Sequence, residues 1–301
     1  MSTPEPPALL EKINSPADLR SLSREDLKSL SDDVRRKIID VVEENIFDQE
    51  SLRNLIKGKD ICINLIGILF EKRNNTFQNI HVNFPSIISK ICSDNNLDQF
   101  IHISALGIDQ AKDSKYAKSK LDGEHKIKEN FEQATILRPS VVYSVDDNFT
   151  TSFMTMLNLL PFFPLYYNGK TKFIPIHVSE VSDIILYIIE KNISSEIIEC
   201  VGSQEYSFKE ILQKLLQLIN KNKILVPLPL MIGKIMARFL EMFPKPLLTL
   251  DQLKLLNYNN ILSGKYKSNF DIGLEPKLKF EEEVAKYCYM WKDGGEYSKE
   301  I

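Results

Sequence analysis

The 301-residue sequence is short of glycine, with 11 in all and none before Gly58. No G-x-x-G-x-x-G or related spacing occurs. That removes the glycine turn through which a backbone approaches a pyrophosphate at a helix N-terminus. Four cysteines (Cys62, Cys92, Cys200, Cys288) lie far apart with no C-x-x-C, and His81 and His102 have no acidic or cysteine partner at ligand spacing. Neither a disulfide framework nor a metal site is expected. No apolar run reaches the roughly 18 residues needed to span a bilayer. The opening MSTPEPP has neither the basic nor the apolar part of a signal peptide, so a chain of cytosolic or matrix-facing type is expected. A formal net charge of −3 supplies no field that would draw nucleic acid.

What is present begins with helix signals. Ser15-Pro16-Ala17-Asp18 and Ser23-Arg24-Glu25-Asp26 each set a capping serine three residues before an acid, and Pro16 takes the favoured first helical position. The second helix carries Leu27, Leu30, Val34, Ile38 and Val41 on one stripe. Composition then shifts. Four of the eight arginines fall within the first 36 residues, and the remainder of the chain is rich in Lys, Asn and Ile. A first segment of different origin, 1–44, is therefore set apart from the rest. DQESLRNLIKG reads as a short helix capped by Asp48 and ended by Gly58. The apolar run Ile61 to Leu69 reads as a parallel strand buried on both faces, and next comes a helix bearing Phe77, Ile80, Phe84, Ile87, Ile88 and Ile91, interrupted by Pro85.

From Gln99 to Ser144 the pattern is strand, small-residue loop, helix, strand, the right-handed crossover of a parallel sheet. The first strand ends at Ser104. The helix then opens with Tyr116 and Lys120, which at i, i+4 share one face. An ammonium beside a phenol favours the phenolate, so this pair could exchange a proton with a carbonyl or alcohol that the Ser104 hydroxyl orients. Three Tyr-x-x-x-Lys spacings occur, Tyr116/Lys120, Tyr166/Lys170 and Tyr187/Lys191, but only the first comes after a strand ending in serine. Beyond Pro139 the sequence predicts a helix from Phe149 to Leu160, a rigid apolar loop (LPFFPLYYNGK), a strand (KFIPIH) and a helix (SEVSDIILYIIEK). From Leu228 to Phe243 a helix confines Lys234, Arg238 and Glu241 to a narrow stripe, leaving most of its surface apolar. At about 16 residues it is too short to span a bilayer and needs the substrate region, a protein partner or a membrane interface to cover it. The tail from Lys292 reads as disordered.

These marks resemble the extended and atypical short-chain dehydrogenase/reductase superfamily. Within it they resemble the dehydrogenase-like accessory subunit of respiratory complex I, the NADH:ubiquinone oxidoreductase. The marks are NLIGILFE, HISALG, YAKSK, LRPSVVY, GKTKFIPIHVSEV, LVPLPL and LTLDQLKLL, over about residues 45–291. LLEKINSPADLRSLSREDLKSLSDDVRRKIIDVV, residues 9–42, resembles instead the N-terminus of 1-deoxy-D-xylulose-5-phosphate synthase, without that enzyme's cofactor motifs. The superfamily resemblance implies an α/β fold: a truncated Rossmann-like parallel sheet with flanking helices (45–145), a smaller, mostly helical substrate or docking region (146–291) and a tail (292–301). It implies Tyr116, Lys120 and Ser104 as catalytic positions, Asn64, Gly67, Lys120 and Pro139 as cofactor-lining positions, and NADP or NAD as cofactor. The chain departs from the superfamily at Ser144, where glycine is usual, at Glu180, where aspartate is usual, and at Ala105 and Leu106, where active members carry their serine. With no glycine cradle, the chain is expected not to bind the dinucleotide usefully. The main expectation is an accessory, non-catalytic complex I subunit, with complex I subunits as partners, peripheral membrane contact through Leu228–Phe243, and a place on the matrix side of the inner membrane. The alternative is an NAD(P)-dependent reductase or epimerase.

Overall fold

The computed structural model describes residues 47–243 and 246–297. The helices expected within 1–44, and the resemblance over 9–42, lie outside the described residues. Two compact units divide the chain, 1–57 and 58–301. Among the described residues of the first, α1 (Gln49–Ile56) starts where Asp48 accepts hydrogen bonds from the Glu50 N–H at 3.1 Å and the Ser51 hydroxyl at 2.8 Å.

The second unit opens with β1 (Ile61–Asn64) and a π-helical turn (Gln78–Asn83) that runs into α2 (Phe84–Asp94). Then come β2 (Gln99–Ile103), α3 (Lys115–Asn130), β3 (Thr135–Pro139), β4 (Val142–Tyr143), α4 (Thr150–Leu159) and β5 (Phe162–Leu165). They are succeeded by β6 (Lys172–Phe173), β7 (Ile176–His177), α5 (Val178–Glu190), β8 (Ile197–Cys200), β9 (Tyr206–Ser207) and α6 (Phe208–Leu218). The chain closes with β10 (Ile224–Pro227), α7 (Leu230–Leu240), α8 (Leu250–Leu255), β11 (Lys267–Ser268) and α9 (Phe280–Ala285).

Among the described residues the main sheet has five strands in the order β1-β2-β3-β8-β11, every pair parallel. It is the expected α/β architecture, with its first described strand at Ile61. Two of the five strands, β8 and β11, come from beyond residue 145, so the substrate-side half of the chain completes the same sheet. One face of the sheet packs through Ile101, Leu137 and Ile198 against Val181, Ile184 and Ile188 of α5. A second, aromatic-rich core joins Met154, Phe163, Phe173, Tyr206, Phe208, Leu212, Phe280 and Trp291.

Four local readings need correction. The strand expected over Ile61–Leu69 stops at Asn64, whose Oδ1 accepts the Ile66 N–H at 3.0 Å and turns the chain out of the sheet. Pro85 does not interrupt its helix. Having no N–H, it cannot close the α-helical bond to the His81 carbonyl, and the turn before it widens so that the Phe84 N–H bonds to Asn79 O. The helix thus continues through a π segment. The freed His81 carbonyl faces Gly123 of α3, where a Cβ would stand 1.8 Å from it. Only glycine lets the two helices approach so closely. The apolar loop after α4 is in fact β5, paired in parallel with β10, and then a 3-10 turn (Tyr166–Gly169). The tail is ordered through Tyr297, whose ring packs 4.9 Å from that of Trp291 and whose carbonyl accepts from Asn158 Nδ2 at 3.0 Å.

Candidate functional site

The strand ends β1 and β2 and the first turns of α3 bring Asn64, His102, Ser104, Tyr116 and Lys120 to one region. Helix α3 starts where it does because Ser114 accepts the Ala117 N–H at 3.2 Å and because Asp251, on α8, covers the open helix end. The Asp251 carboxylate accepts from the Ser114 hydroxyl at 2.7 Å, the Lys115 N–H at 2.8 Å and the Tyr116 N–H at 2.9 Å. A carboxylate at a helix N-terminus answers both the unpaired amides and the dipole, so a residue 135 positions away fixes Tyr116.

Lys120 is buried, and its Nζ donates to the Ile103 carbonyl at 3.1 Å. Burial depresses its pKa to about 8, with Glu124 pulling the other way. Burial pushes the Tyr116 hydroxyl up to about 12. This corrects the expectation that Lys120 lowers the tyrosine pKa, because desolvation of the phenolate dominates. The ring of Tyr116 lies edge-on to His81 (5.3 Å between centroids) and Phe77 (5.9 Å). Ser104 is held by its backbone N–H, which donates to Leu137 O at 2.7 Å, while its buried Oγ has no partner.

Sequence reasoning did not assign the two histidines to this site. His81 Nε2 accepts the Ile68 N–H at 3.1 Å, so the ring carries its proton on Nδ1, which donates to Ser119 Oγ at 2.8 Å. Burial and the nearby Lys120 lower its pKa to about 3. Asn64 Nδ2 donates to His102 Nδ1 at 3.0 Å. The His102 proton therefore sits on Nε2, which is buried without a partner. Burial first, then Lys120 and His81, hold His102 neutral. Both histidines lie beside the tyrosine–lysine pair, His81 against the Tyr116 ring and both close enough to Lys120 to feel its charge. Gly67 has a use beyond turning the chain, because a Cβ there would stand 3.2 Å from Lys120 Nζ. Pro139 ends β3 in the middle of the sheet, its carbonyl accepting the Leu106 N–H at 2.9 Å. Ser144 and Glu180, two of the departures from the superfamily, are tied into local hydrogen bonds. The Ser144 N–H donates to Asp147 at 3.0 Å, and Glu180 Oε1 accepts from the Lys277 and Leu278 N–H groups at 2.7 and 3.0 Å.

Also unassigned from sequence was Arg138, buried one residue before Pro139. Its Nε and Nη2 grip Glu124 at 2.9 and 2.6 Å, Nη1 reaches Asp109 at 2.6 Å, and its guanidinium lies 4.5 Å from the Tyr266 ring centroid. This buried, fully paired fork pins α3 to the sheet. A run of L-R-P at a strand end is its only sequence signal.

A dinucleotide would need polar partners for its ribose and a backbone turn for its phosphates. Asn64, Ser104, Tyr116 and Lys120 are gathered, with orphan polar atoms on Ser104 and His102, but no glycine turn stands in the sequence before Gly58 to face the phosphates. Among the described residues no group of side chains could hold a metal ion.

The five-stranded parallel sheet with helices on its faces defines a Rossmann-like α/β fold. Solved structures agree on the fold. A UDP-glucuronic acid 4-epimerase from Bacillus cereus, in complex with NAD and a fluorinated substrate analogue, superposes with TM-score 0.61 at 18% identity, covering 87% of this chain and 86% of that one. A dTDP-glucose 4,6-dehydratase from Streptomyces venezuelae with NAD bound gives 0.58 at 17% identity over 82% and 77%. In sequence, the chain is similar to subunits of one respiratory enzyme. It is 26% identical over 251 residues to mouse NADH dehydrogenase (ubiquinone) 1 alpha subcomplex subunit 9, mitochondrial. It is 24% identical over 252 residues to the mitochondrial NADH-ubiquinone oxidoreductase 40 kDa subunit of Neurospora crassa. Those matches cover 81% and 83% of this chain but 66% and 64% of the relatives, so the chain spans just under two thirds of the curated relatives it matches. No protein-family model matches the chain.

Proposed function

We propose that this protein is an accessory, non-catalytic subunit of a respiratory NADH:ubiquinone oxidoreductase (complex I), placed peripherally on the matrix side of the mitochondrial inner membrane. The similarity to complex I subunits along four-fifths of the chain carries the reading. The site supports its non-catalytic half: Lys120 bonds to a backbone carbonyl, the Tyr116 phenol is held protonated, and the sequence offers no phosphate cradle. In this reading residues 1–44 are a segment of different origin, 45–145 the dinucleotide-domain remnant and 146–291 the docking region.

The docking surface is α7. Its inner side is small, with Gly233 and Ala237 buried and Gly233 fitted against the Tyr166 ring. Its outer side leaves Met231 75%, Ile235 65%, Phe239 61% and Met242 80% exposed. Exposed Lys234 and Arg238 accompany this stripe, the arrangement of an interfacial helix on an anionic bilayer. Among the described residues no helix is long and apolar enough to cross a membrane. Tagged chain resolved with mitochondrial membranes by native electrophoresis tests the assignment. It should migrate with NADH dehydrogenase activity and pellet with cardiolipin-containing vesicles, and free migration as a soluble monomer would sink it.

The alternative, an NAD(P)-dependent reductase or epimerase, draws on the gathered Ser104, Tyr116 and Lys120 and on structural neighbours solved with NAD. Calorimetric titration with NADH and NADPH separates the two. No heat of binding below millimolar concentration is expected, and micromolar affinity would restore the enzyme reading.

A further inference from the structure

Residues 249–260 run across the open end of α3 as a strap. Asp251 accepts from the Ser114 hydroxyl and from the Lys115 and Tyr116 N–H groups. Beside it, Lys254 Nζ donates to the Asp113 carbonyl at 3.0 Å and the Tyr258 hydroxyl to the Asp113 carboxylate at 2.8 Å. Asn260 ties the strap to two strand ends, donating to Leu106 O at 2.8 Å and accepting from the Ser140 hydroxyl at 2.6 Å and the Val141 N–H at 3.1 Å. Apolar contact backs these bonds, because Leu255 and Tyr258 pack with Tyr116 against Ile108, Ala111 and Ala117. At its start the strap is held by α7. Helices α7 and α8 are in contact, and Glu241, the C-terminal cap of α7, accepts the Leu250 N–H at 2.7 Å. One carboxylate therefore closes the start of α8 and the next, Asp251, closes the start of α3. The two links differ in exposure. The Glu241 bond lies in water, whose high dielectric weakens it, whereas the Asp251 bonds to Ser114 and Tyr116 are part-buried.

We propose, on the reading of α7 as the docking helix, that the strap couples α7 to the tyrosine–lysine site, so that seating α7 on an anionic lipid surface tightens the Asp251 cap on α3. The strap has two states, one with the Glu241–Leu250 bond made and one with it open to water. A lipid surface over α7 thins the water around that carboxylate and holds the helix end still, and both favour the bonded state. Asp251 then stays on the Ser114, Lys115 and Tyr116 donors for a larger share of the time. Coupling between two sites is reciprocal. Loss of the Asp251 cap must therefore loosen α7 in turn.

Hydrogen exchange of the full-length protein, followed by mass spectrometry with and without phosphatidylcholine vesicles containing cardiolipin, reads the coupling. On vesicles the Lys115 and Tyr116 amides should exchange roughly five- to 150-fold more slowly than in the free chain, the span of ordinary coupling between sites. Glu241→Ala, a change at an exposed position, should still pellet with the vesicles yet show no such slowing. In the free chain Asp251→Ala should speed exchange along α7. Asp251→Asn, which keeps one oxygen acceptor, should do so less, and it carries the comparison if the alanine variant fails to fold. Wild type that pellets with unchanged exchange at Lys115 and Tyr116 would overturn the coupling and leave the docking reading intact. Wild type that does not pellet would sink the docking reading, while faster α7 exchange in the Asp251 variants would still support the link between helix and site, and unchanged exchange there would overturn it.

Discussion

The strand-end site and helix α7 handle burial in opposite ways. At the site, groups that water would solvate well are inside: Lys120, His81, His102, Asn64 and Ser104 are all buried, and most of their polar atoms are answered by one another or by backbone. On α7, groups that water solvates poorly are outside, three of them (Met231, Ile235 and Phe239) more than half exposed. Burying a polar group without a partner costs about 1–3 kcal/mol, so a site kept only for folding would sooner have been made apolar. A monomeric protein likewise rarely exposes a continuous apolar stripe. Folding alone accounts for neither region, since the site keeps polar groups inside and α7 keeps apolar groups outside.

The largest effects should come from the exposed stripe. Burying a methionine side chain stabilises an association by about 1.5–3 kcal/mol, so replacing two of them with aspartate should weaken docking by roughly 3–6 kcal/mol, or about a hundredfold to ten-thousandfold. Met231→Asp with Met236→Asp should abolish recovery with membranes or with the large complex. The thermal midpoint should stay within a few degrees of wild type, because neither side chain is buried. If the double variant instead unfolds, α7 belongs to the core and the contrast between the two regions collapses.

The site side should answer with stability. Removing one partner of a buried, hydrogen-bonded ion pair costs about 3–5 kcal/mol. Glu124→Ala strands the Arg138 guanidinium with Asp109 alone, so urea unfolding should show a loss of that order while membrane recovery is unchanged. Arg138→Met with Glu124→Leu should regain most of it, since a packed apolar pair can replace a buried ionic one.

A pH-dependent effect of comparable size comes from the histidines. His81 falls from an ordinary value near 6.5 to about 3, and His102 is also held well below it. Between pH 6.5 and 3 the unfolded chain binds a proton on residue 81 that the folded chain refuses, so stability falls as pH drops through that window, by about 1.4 kcal/mol per unit from His81, and His102 adds in the same direction. Urea midpoints at pH 7, 6, 5 and 4 should trace that slope, and His81→Gln should flatten it. An unchanged slope would mean that neither ring is neutral in the folded chain.

How much of this could be read beforehand depended on whether the signal was local. The β2–α3–β3 crossover was legible because its apolar runs, the strand end at Ser104 and the helix that opens with Tyr116 and Lys120 are all written within neighbouring residues. The apolar stripe of α7 was legible for the same reason, since periodicity is a local property. The site's actual wiring was not. Asp251 covers the start of α3 from more than a hundred positions away. Pro85 looked like a helix breaker because the widened turn that rescues it depends on Gly123 of another helix. Nor could the Tyr116/Lys120 spacing show that burial would outweigh charge, because desolvation belongs to the packed state.

The smallest predicted effect concerns Lys120, where the contrast between the regions is sharpest. The folded chain holds this ammonium at about 8 against an ordinary 10.5, so between those values the unfolded chain carries a proton that the folded one has lost. Stability contributed by this residue therefore rises with pH from 8 to 10.5, and below pH 8 it carries a penalty of roughly 2–3 kcal/mol, partly offset by the bond to Ile103 O. Tyr116 works the other way at higher pH, where its raised pKa of about 12 makes folding less favourable above 10. Lys120→Met should accordingly be as stable as wild type at pH 7 or up to about 2 kcal/mol more so, and the advantage should vanish by pH 9.5, before the tyrosine titrates. A catalytic lysine tolerates no such exchange without loss of turnover. If Lys120→Met is instead less stable than wild type at pH 7, the ammonium contributes net stability through partners other than the Ile103 carbonyl.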